Sequence, residues 1–420
     1  MPWFFCIIII MVQRQVYLSR LAAWREKRVI KVVSGVRRCG KSTLLSQFID
    51  LLKASGIGND QIVSINLEDP EYESLLNHQA LYSYLAKRLC KGKYTYIFID
   101  EIQQCCHFEK AIDGLFIKKN VDLYVTGSNA YILSGELATL LSGRYVEINM
   151  LPLSFAEYIA FNNAIRSKKP KDRREVFNNY LYFGSFPYVA ALGADAGLIR
   201  NYIDGIYNTI LIKDVAKRAG STDIALLENI IKFLSHSVGS PISVKKISDT
   251  INSSGRRISV NTVETYLRTL IDGFIFYYTG RFDVKGKQHL KTLGKYYIVD
   301  TGLRNLLIES SSPDLGHQLE NIVYFELLRR GAGRVCIGKL AEEEVDFVTI
   351  GGREPAYYQV AASVMNSDTL KRELSALQKI KDNHPKFILT LDDIPKKANH
   401  NGIMQINLID WLLEPVRNQQ

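Results

Sequence analysis

Paired cysteines, long apolar runs and compositional bias are all scarce in this 420-residue chain, and each shortage removes a class of protein. The six cysteines, Cys6, Cys39, Cys90, Cys105, Cys106 and Cys336, include no Cys-x-x-Cys pair and no Cys/His spacing suited to zinc. That excludes a disulfide-stapled secreted scaffold and a zinc finger, and it favours reduced thiols in a cytoplasmic protein. Internal repeats and low-complexity tracts are also lacking, which excludes repeat arrays and disordered linkers. The apolar opening MPWFFCIIIIMV is shorter than the roughly 20 residues a membrane helix needs. No positive charge or small-residue cleavage site precedes Arg14, so neither a stable membrane insertion nor a signal peptide is expected. Residues 1–14 read as an apolar extension, with Met11 as an alternative start; a buried strand and a weak membrane-contacting tip are the other readings.

What is present is ordinary for a folded soluble chain: 47% hydrophobic and 23% charged residues. At about 150 residues per domain, the length suggests about three domains. The net charge of +10 permits contact with phosphate backbones without forming a basic tail.

Between Arg28 and Met150, short strands rich in Ile, Val and Tyr alternate with helical stretches: VIKVVSG, QIVSINLE, YTYIFIDE and VDLYVTGS. Such alternation predicts a parallel sheet covered on both faces. Residues 153–235 read as helices throughout. Residues 236–284 give helix, turn, helix and strand, the outline of a winged helix, and residues 285–420 form a last α/β segment around a long helix at 315–331.

The segment SGVRRCGKST carries Gly35, Gly40, Lys41 and Ser42 in the spacing GxxxxGKS, after an apolar strand and at the start of a helix. Backbone N–H groups across Gly35, Val36, Arg37, Arg38, Cys39, Gly40, Lys41, Ser42 and Thr43 can wrap phosphates. Lys41 would contact the β and γ phosphates and Ser42 would hold Mg²⁺. At least one of Arg37 and Arg38 is expected to face an acidic partner or solvent, and Cys39 to be a small packing residue. Asp100 ends the next acidic strand, FIDE, where it can orient Mg²⁺ through water, and Glu101 is placed as general base. Ser128 or Asn129, at the end of VDLYVTGSN, is a candidate γ-phosphate sensor. Arg144, after a glycine, could reach the γ-phosphate of its own or a neighbouring subunit.

Together GVRRCGKSTLL, FIDEIQ, TGSNA, LSGRY, LPLSFAEY, GSFPYV, DTGLRN, LENIVYFELLRRG, EVDFV and YYQVA resemble a prokaryotic AAA-type P-loop ATPase family. Its members join a P-loop core to a C-terminal domain of unknown function related to the PD-(D/E)xK nucleases. The resemblance runs from about Gln15 to the last helix and implies an AAA-type P-loop core and a nuclease-like C-terminal domain; with the pattern read above, the α/β chain divides into the core at 15–152, a helical lid and connector at 153–235, a winged helix at 236–284 and the nuclease-like domain at 285–420. It implies ATP as the nucleotide and a role for Arg144 in its site.

Residues 241–300 hold ten basic against five acidic side chains, half of the chain's net excess. Arg256, Arg257 and the wing lysines, Lys285, Lys287, Lys291 and Lys295 among them, sit where a winged helix meets DNA phosphates. Asn261, Thr262, Glu264 and Thr265 are base-reading candidates. A contact with protein is the competing reading, and a homo-oligomer stays open. A PD-(D/E)xK nuclease would need two acids and a Glu-x-Lys; this sequence offers Glu320, Asp346 and then Gln359-Val360-Ala361. Alanine can do none of the lysine's work, so cleavage is expected to be lost unless Lys371 or Arg372 substitutes. The sequence therefore suggests a Mg²⁺-dependent ATPase that couples nucleotide state to a DNA-binding winged helix and a degenerate nuclease-like domain. The alternatives are a nucleotide-gated module that binds protein with little turnover, and an active metal nuclease.

Overall fold

A computed structural model describes residues 12–128, 143–165, 172–193, 195–210, 215–216, 223–253, 255–286, 288–308, 314–331, 333–340, 342–351, 354–394 and 398–415. Contacts divide the chain into two units, Met1–Pro152 with Asp272–Phe274, and Leu153–Ile271 with Ile275–Gln420.

The first unit is built on five parallel strands: β1 (Ile30–Ser34), β2 (Ile62–Asn66), β3 (Thr95–Asp100), β4 (Val121–Gly127) and β5 (Tyr145–Asn149). Their order is β2-β3-β4-β1-β5. β1 and β3 are buried along their whole length, so they read as apolar runs rather than as alternating strands. Helices α1 (Gln15–Ala23), α2 (Lys41–Ala54), α3 (His78–Ala86) and α4 (Phe108–Phe116) accompany the sheet. Phe48 of α2 meets the rings of Phe98 and Tyr124, while Leu81, Leu85, Ile112 and Leu115 share a core with Ile97 and Ile99. Because β4 lies between β1 and β3, the ends of β1 and β3 are two strand spacings apart, roughly 10 Å. The registers Ser34↔Gly127 and Ile99↔Val125 bring them to one carboxyl edge.

The second unit begins with helices, as expected: α5 (Phe155–Ile165), α6 (Arg173–Phe183), α7 (Pro187–Leu192), α8 (Ala196–Thr209), α9 (Ile224–His236), α10 (Val244–Ser253) and α11 (Val260–Asp272). Asp172, Asp195 and Asp223 cap α6, α8 and α9 by accepting first-turn N–H groups. There follow β6 (Phe276–Asp283), β7 (Gln288–Ile298), α12 (Thr301–Ile308), α13 (Leu315–Arg329), β8 (Gly333–Leu340), β9 (Glu343–Gly351), β10 (Ala356–Val360), α14 (Ser367–Gln378), β11 (Lys386–Thr390), β12 (Ala398–His400), β13 (Ile403–Asn407) and α15 (Leu408–Leu413). The eight strands form one mixed sheet, β12-β13-β11-β10-β9-β8-β6-β7.

The hairpin expected as the wing of a separate module is thus one edge of the C-terminal sheet. β6 pairs antiparallel with β7 and parallel with β8, and a boundary at 284/285 would fall in the hairpin turn. Two quoted motifs also meet in this unit. Asp300 of DTGLRN accepts the Ser185 N–H at 2.6 Å, the Ser185 hydroxyl at 2.9 Å and the Leu303 N–H at 3.0 Å. A Cβ on Gly184 would come within 2.1 Å of its carboxylate, so GSFPYV needs glycine there.

Candidate functional site

The loop after β1 owes its shape to residues in the left-handed region. Gly35, Arg38 and Gly40 have φ of 141°, 67° and 104°, and turns of this kind aim successive N–H groups into one concavity. At Gly35 glycine is obligatory, because a Cβ would lie 2.2 Å from the Met150 carbonyl oxygen. Gly40 caps α2, whose amino end faces the same concavity and adds its dipole. Lys41 is 5% exposed, and its ammonium donates to the carbonyls of Gly35 at 2.9 Å and Val36 at 3.2 Å, which holds it over the loop. Ser42 is exposed on the first turn of α2 and Thr43 is half-buried. Arg37 pairs with Glu68 at 2.9 Å and Arg38 is exposed. Cys39 is fully buried, and burial pushes its thiol pKa up, as suits a packing residue.

Arg14 ties this loop to the end of its unit. Its buried guanidinium donates to the carbonyls of Cys39 at 3.2 Å and Leu151 at 2.9 Å.

Asp100 and Glu101 are both buried at the end of β3. Thr126 on β4 serves both: its hydroxyl donates to Asp100 Oδ1 and accepts the Glu101 N–H at 3.0 Å. Glu101 has φ of 53°, a conformation costly for a side chain of its kind, and it sends the chain into a tight turn over Ile102–Gln104. That turn returns Gln103, whose Nε2 donates to Glu101 Oε2 and lies 3.4 Å from Ser128 Oγ. Ser128 is buried at the end of β4; Asn129 lies outside the described residues. Neither Thr126 nor Gln103 was singled out from sequence, because their roles depend on the β3/β4 register. A phosphate-wrapping loop, a lysine over it and two buried acids on the same sheet edge suit a nucleotide triphosphate and Mg²⁺, and the acids would be costly there without a cation.

Of the two reaches expected of Arg144, the one to the nucleotide loop of its own chain is not seen. Arg144 immediately precedes β5, and the register Ile30↔Tyr145 puts it beside the start of β1, while the loop follows Ser34 at the other end. Five residues of strand separate the two by roughly 15 Å. Its guanidinium pairs with Asp113 and lies over the Phe116 ring, so it does not reach the nucleotide loop of its own chain.

A second cluster lies in the C-terminal sheet. Lys295 of β7 is 3% exposed, with its ammonium 2.9 Å from Glu320 of α13, 2.7 Å from Glu344 and 4.0 Å from Asp346 of β9. Burial alone would lower its pKa, but the three carboxylates outweigh that and hold it above the ordinary value. Tyr297 donates to Glu320 at 2.7 Å, and the Val360 N–H donates to Asp346 at 2.8 Å. Burial and the Glu320 charge push Asp346 well above the usual carboxylate range. Lys295 is therefore no wing contact for DNA. Lys371 and Arg372 are both exposed, and Arg372 pairs with Glu373, to which Gln359 donates at 2.8 Å. Among the described residues, no three His, Cys, Asp or Glu side chains form a metal-holding group.

Lys245, Lys246, Arg256, Arg257 and Arg268 are exposed around α10 and α11, and Asn261, Thr262, Glu264 and Thr265 lie on the exposed face of α11. Arg256 pairs with Asp223 at 3.2 Å. Among the described residues, no helix is long and apolar enough to cross a membrane.

Comparison with known proteins matches residues 27–159 to a family described as an AAA domain and residues 174–314 to a domain of unknown function, DUF8612. The chain is 38% identical over 405 residues to an uncharacterized protein of Haemophilus influenzae, covering 96% of this chain and 99% of that one. It is 30% identical over 398 residues to an uncharacterized protein of Methanocaldococcus jannaschii, covering 91% and 85%. Among solved structures, the Walker-type ATPase PABY2304 of Pyrococcus abyssi is similar in fold, with a TM-score of 0.50 at 15% identity over 71% of this chain and 96% of that one.

Proposed function

The chain belongs to the family of that uncharacterized Haemophilus influenzae protein, with an AAA domain followed by DUF8612, and from this premise we propose that it is a Mg²⁺-dependent ATPase. The observation that carries the reading is the convergence of the Gly35–Thr43 loop with buried Asp100 and Glu101 at one sheet edge. In this reading Lys41 turns from the loop carbonyls to the β and γ phosphates, and the loop N–H groups hold the rest of the triphosphate. Ser42 and Asp100 hold Mg²⁺, which would draw charge from the phosphates. Glu101 accepts a proton from the attacking water, and Ser128 contacts the γ-phosphate. Arg14 supports coupling to the rest of the chain, since one guanidinium holds both the loop at Cys39 and the exit at Leu151.

The output of this ATPase is proposed to be DNA contact by the α10–α11 face. The exposed cations from Lys245 to Arg268 support it. The C-terminal sheet is proposed to serve binding rather than cleavage, because Lys295 occupies the carboxylates that a nuclease would give to metal. The rival reading is a nucleotide-gated module with little turnover that binds a protein partner.

ATP hydrolysis with and without DNA decides between them. Glu101→Gln is expected to abolish turnover while retaining ATP binding. A wild-type protein that binds ATP and shows no hydrolysis in any condition would remove the enzyme reading.

A further inference from the structure

Besides Thr126, Gln103 joins the end of β3 to the end of β4: its Nε2 donates to Glu101 Oε2 and lies 3.4 Å from Ser128 Oγ. Its orientation follows from chemistry. A carboxylate only accepts, so the amide must turn its nitrogen toward Glu101, and its oxygen is left on the other side. That oxygen is buried and has no hydrogen-bond partner among the described residues. An unmet buried acceptor costs about 1–3 kcal/mol, so its presence at a site calls for a role beyond packing. Nothing about local folding demands glutamine here: the short turn at Ile102–Gln104 is set by the backbone of Glu101, whose φ is 53°.

We infer that Gln103 is a positioning residue that couples Ser128 to Glu101, so that contact between Ser128 and a bound γ-phosphate fixes the carboxylate for proton transfer. The inference deepens the ATPase reading and rests on it. Ser128 sits at the strand end proposed for phosphate contact, Glu101 at the strand end proposed for the base, and the Gln103 amide is the physical link between them. Fixing a carboxylate that otherwise rotates is worth most in the chemical step and little in nucleotide binding.

The experiment is steady-state hydrolysis by the full chain, with ATP binding followed by a fluorescent nucleotide, for Gln103→Leu, Ser128→Ala and the double variant. Gln103→Leu is expected to lower kcat by about 10- to 100-fold with KM and ATP affinity within about threefold of wild type. If the two side chains act through one link, the double variant loses no more than the worse single variant, a non-additivity that a merely structural role would not produce. Gln103→Asn, which keeps the amide, is expected to recover part of the loss. Losses that multiply in the double variant, a loss confined to KM, or full activity in Gln103→Leu would each overturn the inference while leaving the ATPase standing. A wild-type protein without turnover would remove both.

Discussion

Lys295 Nζ lies 2.9 Å from Glu320 Oε1, with both side chains buried, so β7 and α13 are joined by an ion pair shielded from water. The rings of Tyr297 and Tyr324 from the same two elements stack at 4.2 Å beside it.

Losing one side of a buried pair leaves the other charge without a partner. Lys295→Met is therefore expected to cost about 3–5 kcal/mol of stability, read from urea unfolding near neutral pH. Changing Glu320 to Leu as well should return a good part of that loss, because no orphaned carboxylate then remains at that position. A cost below about 1 kcal/mol for Lys295→Met would show that the cluster admits water.

Asp300 yields a test in pH. Burial pushes its carboxyl above the usual range despite the bonds from Ser185 and Leu303. The folded protein thus holds that proton more tightly than the unfolded chain. The stability this group contributes is complete below the unfolded value, near 3.9, and is lost as pH rises through the folded one. Asn at this position does not titrate, so the stability gap between wild type and Asp300→Asn should narrow from about pH 4 to pH 7. Unfolding free energies at the two pH values check it, and a widening gap would contradict it.

Gly35→Ala places a methyl 2.2 Å from the Met150 carbonyl in a backbone conformation, φ 141°, that alanine avoids. The loop must shift, so ATP affinity is expected to fall by at least about tenfold, while overall stability drops by about 1–3 kcal/mol. Titration with a fluorescent nucleotide and a thermal melt separate the two effects. Unchanged affinity would show that the loop does not need this shape.

The P-loop was legible because its chemistry is local: eight consecutive residues, Gly35 to Ser42, a strand before and a helix after. The parallel sheet was legible because strands buried on both faces are written as apolar runs, as in VIKVVSG and YTYIFID. Thr126 and Gln103 were not, since the first depends on the β3/β4 register and the second on the left-handed turn at Glu101. Which end of the sheet Arg144 occupies was not legible either, as only the β1/β5 register tells that it lies away from the loop of its own chain. Lys295 was counted as surface charge because its burial comes from α13 and β9, far along the chain. The sole local hint was its place before the apolar run Tyr296-Tyr297-Ile298-Val299.

Arg256 and Arg257 are exposed beside α11, and the pairing of Arg256 with Asp223 is a surface bridge that a phosphate can replace at little cost. If both arginines contact DNA phosphates, changing them to Ala should weaken duplex binding and reduce the slope of log affinity against log salt by about 2. Fluorescence anisotropy at several salt concentrations gives the slope. An unchanged slope would place any DNA contact elsewhere.

Thr126 offers the sharpest separation of site from scaffold. Its side chain is fully buried, and its one hydroxyl both donates to Asp100 and accepts the Glu101 N–H. Valine has the same shape, so Thr126→Val keeps the packing and the β-branched strand preference while removing both bonds. The buried N–H of Glu101 then lacks an acceptor, and the Asp100 carboxylate loses a donor beside the proposed Mg²⁺ position. Stability is expected to fall by about 1–3 kcal/mol. Hydrolysis should fall further, by about 10- to 100-fold in kcat, because the two acids that must be held in place are both released. Raising Mg²⁺ should recover part of the activity if looser metal binding through Asp100 dominates, and none if the displaced Glu101 does. Wild-type kcat in Thr126→Val would mean that the hydroxyl serves the fold alone.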